Sequence, residues 1–266
     1  MKLTTNLMAT IAAAATAATL VATAPVAGAS PDQFCAELGG NWDGTSCTTV
    51  VVSHLKAERL ISLDLPQPML DNPTSGPVVG GFYHKLMDGW RNSGTQAPRD
   101  SSATATYELF TGPGAVQSLV VHEDFEPFGL QSNNAYRTFV FDMAQGHRLM
   151  LADLFKPGVD PIAAIAEAAG PFLPAALDAG APPHAPNTNP YMIGQWTPGP
   201  DGPGFTGGYR AFALTQDDLI IHMPDVPSAQ DSQAANYAWS MDGGAVTLQV
   251  PLAALAGPLR PEYGGV

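Results

Sequence analysis

SLVVHEDFEPFGLQSNNAYRTFVFDMAQGHRLMLADLF, residues 118–155, states its own structure more plainly than the rest of the chain. Leu119, Val121 and Glu123 alternate with Val120, His122 and Asp124. Further on, Arg137, Phe139, Phe141 and Met143 alternate with Tyr136, Thr138, Val140 and Asp142. A period of two sends successive side chains to opposite faces of a sheet, so the stretch predicts two long strands. Both faces carry large apolar groups, which predicts a central hairpin with material packed on each side over part of its length. Ala144-Gln145-Gly146-His147 offers a turn with glycine available for positive φ, and Arg148-Leu149-Met150-Leu151 returns as a short third strand.

Towards the N-terminus, 48–54 is β-branched and 60–65 alternates Ile61, Leu63 and Leu65 with Ser62 and Asp64, a second pair of strands ended by Pro66 and Pro68. Ser75-Gly76-Pro77 opens a helix over 77–92, whose apolar stripe is Val79, Phe82/Tyr83, Leu86 and Trp90, with Gly94 as its stop. Residues 102–110 form a further strand, turned into the hairpin by Thr111-Gly112-Pro113-Gly114. Towards the C-terminus, Asp160 caps a second amphipathic helix carrying Ile162, Ile165, Ala169, Phe172 and Leu173, which Gly170-Pro171 and Pro174 must kink or split. Of the twenty-nine residues 180–208, fourteen are Gly or Pro, which predicts a long irregular loop. A second hairpin (209–214 and 219–223, turning at Thr215-Gln216-Asp217-Asp218), a loop, a last strand (245–250) and a helical turn (251–255) follow. The expected class is α+β: a mixed, largely antiparallel sheet packed with two amphipathic helices.

Residues 1–29 have one lysine, Lys2, an apolar Ala-rich run and the small-x-small ending Ala27-Gly28-Ala29, the pattern of a signal peptide cleaved near Ala29. A membrane anchor is the alternative, but Ala and Thr insert weakly, and no second run approaches the length of a spanning helix. The two cysteines, Cys35 and Cys47, lie close together in a chain read as exported, so a local disulfide is expected, contributing ~3 kcal/mol by chain entropy. The formal charge is −13, from 11 basic and 24 acidic residues, and loss of Lys2 makes it −14. That balance disfavours nucleic acid and anionic membranes as partners and draws in cationic ones.

No motif carries chemistry by itself. The G-x-S-x-G elbow of serine esterases is absent, Ser75 and Ser93 precede glycines without its strand-to-helix context, and a non-standard triad would need Ser118 or Ser240 beside one of six histidines. In His122-Glu123-Asp124, only His122 and Asp124 share a strand face. A metal would need a further ligand such as His222, and the competing reading is a solvated strand end. Neither a metal nor a cofactor is expected. Tyr191, Trp196 and Phe205 lie in the long loop, with Tyr209 at its end. Such aromatics either stack on a ligand or anchor a partner, or else fold back as a satellite cluster that holds the loop down.

Several short blocks resemble a known family: Phe34-Cys35-Ala36-Glu37-Leu38-Gly39-Gly40 with Cys47, Met87-Asp88-Gly89-Trp90, Ala97-Pro98-Arg99-Asp100, residues 142–154, Tyr209-Arg210-Ala211-Phe212 and residues 215–221. They are similar to the mycobacterial secreted immunogenic antigens of the MPT/MPB type. That family shares its C-terminal module with the ectodomain of the RsiV-type anti-sigma factor, which senses lysozyme. The resemblance implies a β-grasp-like sheet in an exported protein. It divides the mature chain into an N-terminal part (30–110) and an RsiV-like module (111–266). It implies a secreted or cell-envelope binding protein contacting a cationic, lysozyme-like protein or an envelope glycan. The alternative, since some members have been described as esterases, is a carboxylesterase acting on short acyl chains, and a purely structural envelope role is a third reading. The Pro/Gly-rich 180–208 stretch and the polar 224–244 segment depart from the family pattern.

Overall fold

The computed structural model describes residues 30–126, 133–180, 185, 193–200, 202–223 and 246–266, with backbone only at 133 and 134. The expected leader therefore lies outside the described residues. The N-terminal elements are helix α1 (Pro31–Glu37) and strands β1 (Asn41–Trp42), β2 (Ser46–Val52) and β3 (Glu58–Asp64). A short helix α2 (Gln67–Leu70) and the long helix α3 (Gly76–Gly94) lead to β4 (Ser101–Thr111), β5 (Val116–Glu126), β6 (Asn133–Asp142) and β7 (His147–Leu149). These seven strands form one sheet in chain order. Every neighbouring pair is antiparallel except β3 and β4, because α3 carries the chain back to the end at which β3 began. The α+β expectation holds, with this one parallel pair making the sheet mixed, and the sheet runs continuously through position 110/111.

The hairpin is central, as its two apolar faces require. On one face Leu119, Val121, Phe139 and Phe141 join Ile61, Leu63, Ala103 and Ala105 beneath α3. The helix buries Val79, Tyr83, Met87 and Trp90, so the stripe is rotated slightly from expectation and Leu86 lies half-buried at its flank. Gly94 is its last helical residue rather than its stop. A Cβ there would come within 3.2 Å of Val51, so the glycine lets the helix end settle onto β2. Arg59, 1% exposed, is held in this region by Ser101 (2.9 Å), the Trp90 carbonyl (3.0 Å) and Ser93 (2.6 Å), and its guanidinium lies over Phe125. It thereby ties the last turn of α3 to β3 and β4. The disulfide forms as expected, with Cys35 of α1 bonded to Cys47 of β2 and both fully buried.

Beyond β7 come α4 (Pro161–Ala169) and α5 (Leu173–Gly180), split at Gly170-Pro171 and bent by 78°. Asp160 caps α4 through the Ile162 amide, as its position predicts. Strands β8 (Phe212–Leu214), β9 (Asp218–Met223) and β10 (Val246–Pro251) make a separate three-stranded sheet in the order β10-β9-β8. One face of it, with Leu214, Leu219, Ile221, Leu248 and Val250, forms a core with Ile165, Ala169, Leu173 and Leu177 of the two helices. Among the described residues no single helix is long and apolar enough to cross a membrane.

The small sheet lies with its other face against the large one, where Val120 meets Ala213 and Ile220. Strand β8 is an edge strand whose outward backbone groups need partners. The large sheet supplies them from side chains. Ser118 Oγ accepts from the Leu214 amide (2.9 Å), and Thr138 Oγ1 accepts from the Phe212 amide (3.0 Å).

Candidate functional site

Where the two sheets diverge from the β8 contact they leave a cleft of about 330 Å³. Its wall on the large sheet comes from Thr106, Glu108 and Phe110 of β4, Val120 and His122 of β5, and Tyr136 of β6. These residues share a face because of the register: Thr106 stands opposite His122, Glu108 opposite Val120, and His122 opposite Tyr136. The other wall is Ile220 and His222 of β9 with Thr247 and Gln249 of β10, where Thr247 pairs with His222 and Gln249 with Ile220. The floor is apolar, while threonine hydroxyls, one amide and one carboxylate line the rim. Among the described residues no lysine or arginine lines it.

Three rings stack at one end. Tyr136 is common to both contacts, with its centroid 4.6 Å from His122 and 4.4 Å from His222, and the planes lie within 17° and 4° of parallel. His222 is 5% exposed, and burial, helped by the nearby His122, pushes its pKa down to about 4, so at neutral pH the ring is uncharged. Its Nδ1 lies 3.5 Å from Thr247 Oγ1, and its Nε2 has no hydrogen-bond partner among the described residues. An orphaned buried ring nitrogen costs desolvation free energy that stacking must offset. Burial also raises the Tyr136 phenol, with the Glu108 carboxylate adding to the shift.

The residues named from sequence separate on this geometry. His122 and His222 do meet in one cleft, joined through Tyr136, but no group of three or more His, Cys, Asp or Glu that could hold a metal occurs among the described residues. Glu123 points away from His122, as the strand alternation requires. It is buried against Arg137 at 3.1 Å, and desolvation raises its pKa while the arginine opposes the shift. Ser118 is fully buried and occupied by Leu214, Ser75 donates to the Met69 carbonyl, and Ser93 binds Arg59 and the Trp90 carbonyl. Ser240 lies outside the described residues.

Of the loop aromatics, Trp196 and Tyr209 are each 2% exposed within the C-terminal core, and Phe205 packs against that core with its ring edge-on to Trp196 at 5.4 Å. The described part of 180–208 thus holds to the body through Trp196 and Phe205. Gly204, at φ +59°, permits this packing, since a Cβ would come within 2.5 Å of the Gln195 carbonyl. Tyr209 takes a left-handed φ of 57°, unusual for an aromatic residue, and burial pushes its phenol up to about 12. Tyr191, most of 181–192 and all of 224–245 lie outside the described residues.

No family model and no curated protein matches the chain, so its likeness to the mycobacterial antigens rests on the short sequence blocks alone. Solved structures do resemble it. A member of the DUF3298 family from Bacteroides fragilis is 11% identical, with a TM-score of 0.49, covering 83% of this chain and 93% of its own. A DUF3298 family protein from Pseudomonas aeruginosa is 12% identical, with a TM-score of 0.47, covering 82% and 93%.

Proposed function

We propose that this chain is a non-enzymatic binding protein, exported to the extracellular space or the cell envelope, that contacts a cationic extracellular protein through the cleft between its two sheets. The observation that carries the reading is the cleft's lining: among the described residues, an apolar floor and one carboxylate, Glu108, with no basic side chain, in a chain of formal charge −13. A lysine or arginine side chain entering the cleft would lay its stem on Phe110, Val120 and Ile220 and bring its charge to Glu108. The leader-like residues 1–29 support export, and the sequence blocks shared with the mycobacterial antigens and the RsiV-type ectodomain support a protein partner.

Binding of the mature chain to a cationic protein such as lysozyme tests this. Electrostatic steering predicts association that slows steeply as salt rises, and Glu108→Gln and Phe110→Ala should each weaken the complex by roughly tenfold at an unchanged melting temperature. A salt-independent association rate, with envelope glycan fragments binding in its place, would move the ligand to a neutral saccharide. Unchanged affinity in both variants would remove the cleft from the function.

A further inference from the structure

The face of the large sheet turned away from α3 runs on past the cleft wall. Val50 and Val52 of β2 and Leu60 of β3 share that face with Thr106 and Glu108, because Val50 stands opposite Leu60, Leu60 opposite Ser102, and Ser102, Thr106 and Glu108 alternate along β4. The intervening Ile61, Leu63, Ala103 and Ala105 point the other way, into the core beneath α3. The small sheet does not cover this stretch: Val50 is 53% exposed, Val52 60% and Leu60 51%. Of the eight large apolar side chains exposed among the described residues, four lie between positions 50 and 60, the fourth being Leu55 in the turn that joins the two strands. Single exposed apolar residues need no explanation, but a cluster marks a surface that a partner covers. Past Thr48, where β1 stops pairing, β2 is also an edge, a place that charge or proline ordinarily protects and where two valines stand instead.

Acid surrounds this patch. Glu58 stands opposite Val52, and Asp64 lies farther along β3. Ser102, the neighbour of Leu60 on β4, donates to Glu126 of β5 at 3.2 Å. With Glu108 and Asp124, the strand positions of this face from β2 to β5 hold five carboxylates and no lysine or arginine, Lys56 lying in the turn. A second copy of the chain laid here would bring like charges together, so the charge admits a cationic occupant. At about 4.8 Å between strands and about 3.3 Å along one, Leu60 lies about 14 Å from Thr106 at the cleft, within reach of one short extended segment.

We infer that this face is a docking surface for a cationic protein segment that presents an apolar side chain between lysines or arginines. The apolar side chain lies on Val50, Val52 and Leu60, and its basic neighbours meet Glu58 and Glu126. The surface rests on the binding role proposed for the cleft, which it extends across β3 to β2.

Methyl NMR of the mature chain tests it, with a peptide carrying leucine between lysines and the leucine-to-serine peptide of equal charge. Saturable shifts at the Val50, Val52 and Leu60 methyls are expected, with the leucine peptide bound about tenfold more tightly than its control. Combining Val50→Thr, Val52→Thr and Leu60→Thr keeps residues suited to a strand at exposed positions, so it should abolish that advantage at an unchanged melting temperature. Equal affinity for the two peptides, or an advantage that survives the triple substitution, overturns the assignment. Shifts confined to the Val120 and Ile220 methyls overturn it while leaving the cleft reading in place, whereas shifts at the patch with those two unmoved sustain the patch and count against the cleft. Shifts that follow the concentration of the chain alone make a second copy the occupant and overturn the cationic one.

Discussion

His222 is a buried, uncharged imidazole whose Nε2 has no partner among the described residues, and its position makes a sign-definite claim about pH. Its pKa is about 4 in the folded protein against an ordinary 6.5, so between those values the unfolded chain holds the extra proton. The stabilisation is fully present above about pH 6.5 and is lost as pH falls towards 4, for a total of about 3 kcal/mol. Glu123 acts in the opposite sense, because burial raises its carboxyl and so makes protonation favour the folded state. The comparison is therefore between proteins and not between pH values alone. His222→Phe, which keeps a ring against Tyr136, should lose most of this slope in urea unfolding measured from pH 7 to pH 4. An unchanged slope would mean that His222 titrates normally.

At the scale of elements, the joint between the two sheets is two side-chain hydroxyls standing in for a missing strand. Removing either leaves a buried backbone amide of β8 without an acceptor, which costs about 1–3 kcal/mol. Ser118→Ala and Thr138→Val should each cost that much, and the pair together should open the small sheet before the large one. Hydrogen exchange reads this directly: faster exchange in β8 and β9 with β4 and β5 still protected is expected, whereas a uniform rise throughout the chain would make the two sheets one cooperative unit.

Across the whole molecule the excess of acid is the governing quantity. The formal charge is −13, and self-repulsion destabilises the compact state more than the unfolded one. The melting temperature should rise by a few degrees as sodium chloride is raised from a few millimolar to about 0.15 M, where the Debye length falls to about 8 Å. A flat or falling curve would mean that ion pairs outweigh the net repulsion. The proposed function predicts the opposite sign for binding: salt should strengthen the fold while weakening capture of a cationic partner.

The sequence determined what depends on neighbours along the chain. The hairpin over 118–155 follows from alternation, helix 77–92 from its apolar stripe and Ser75-Gly76-Pro77, the split of the second helix from Gly170-Pro171, and the disulfide from two nearby cysteines in a chain read as exported. Helix α1 was missed in the sequence, although Ser30 and Gln33 were a local signal for its start: the Gln33 side chain accepts from the Ser30 amide. The parallel pairing of β3 with β4 and the separation of β8–β10 into a second sheet were not legible, since each depends on which distant surface an element meets; for Trp196 and Tyr209 the sequence left packing and ligand contact as alternatives, and the structure buries both. For the same reason only the tertiary structure decided the cleft between the two sheets. His122 and Tyr136 face each other through hairpin register, but His222 joins them because Ser118 and Thr138 hold β8 against the central hairpin. Local sequence patterns fix elements because their physics acts over one turn or one pleat, whereas a site assembled across two sheets depends on packing that no local pattern encodes.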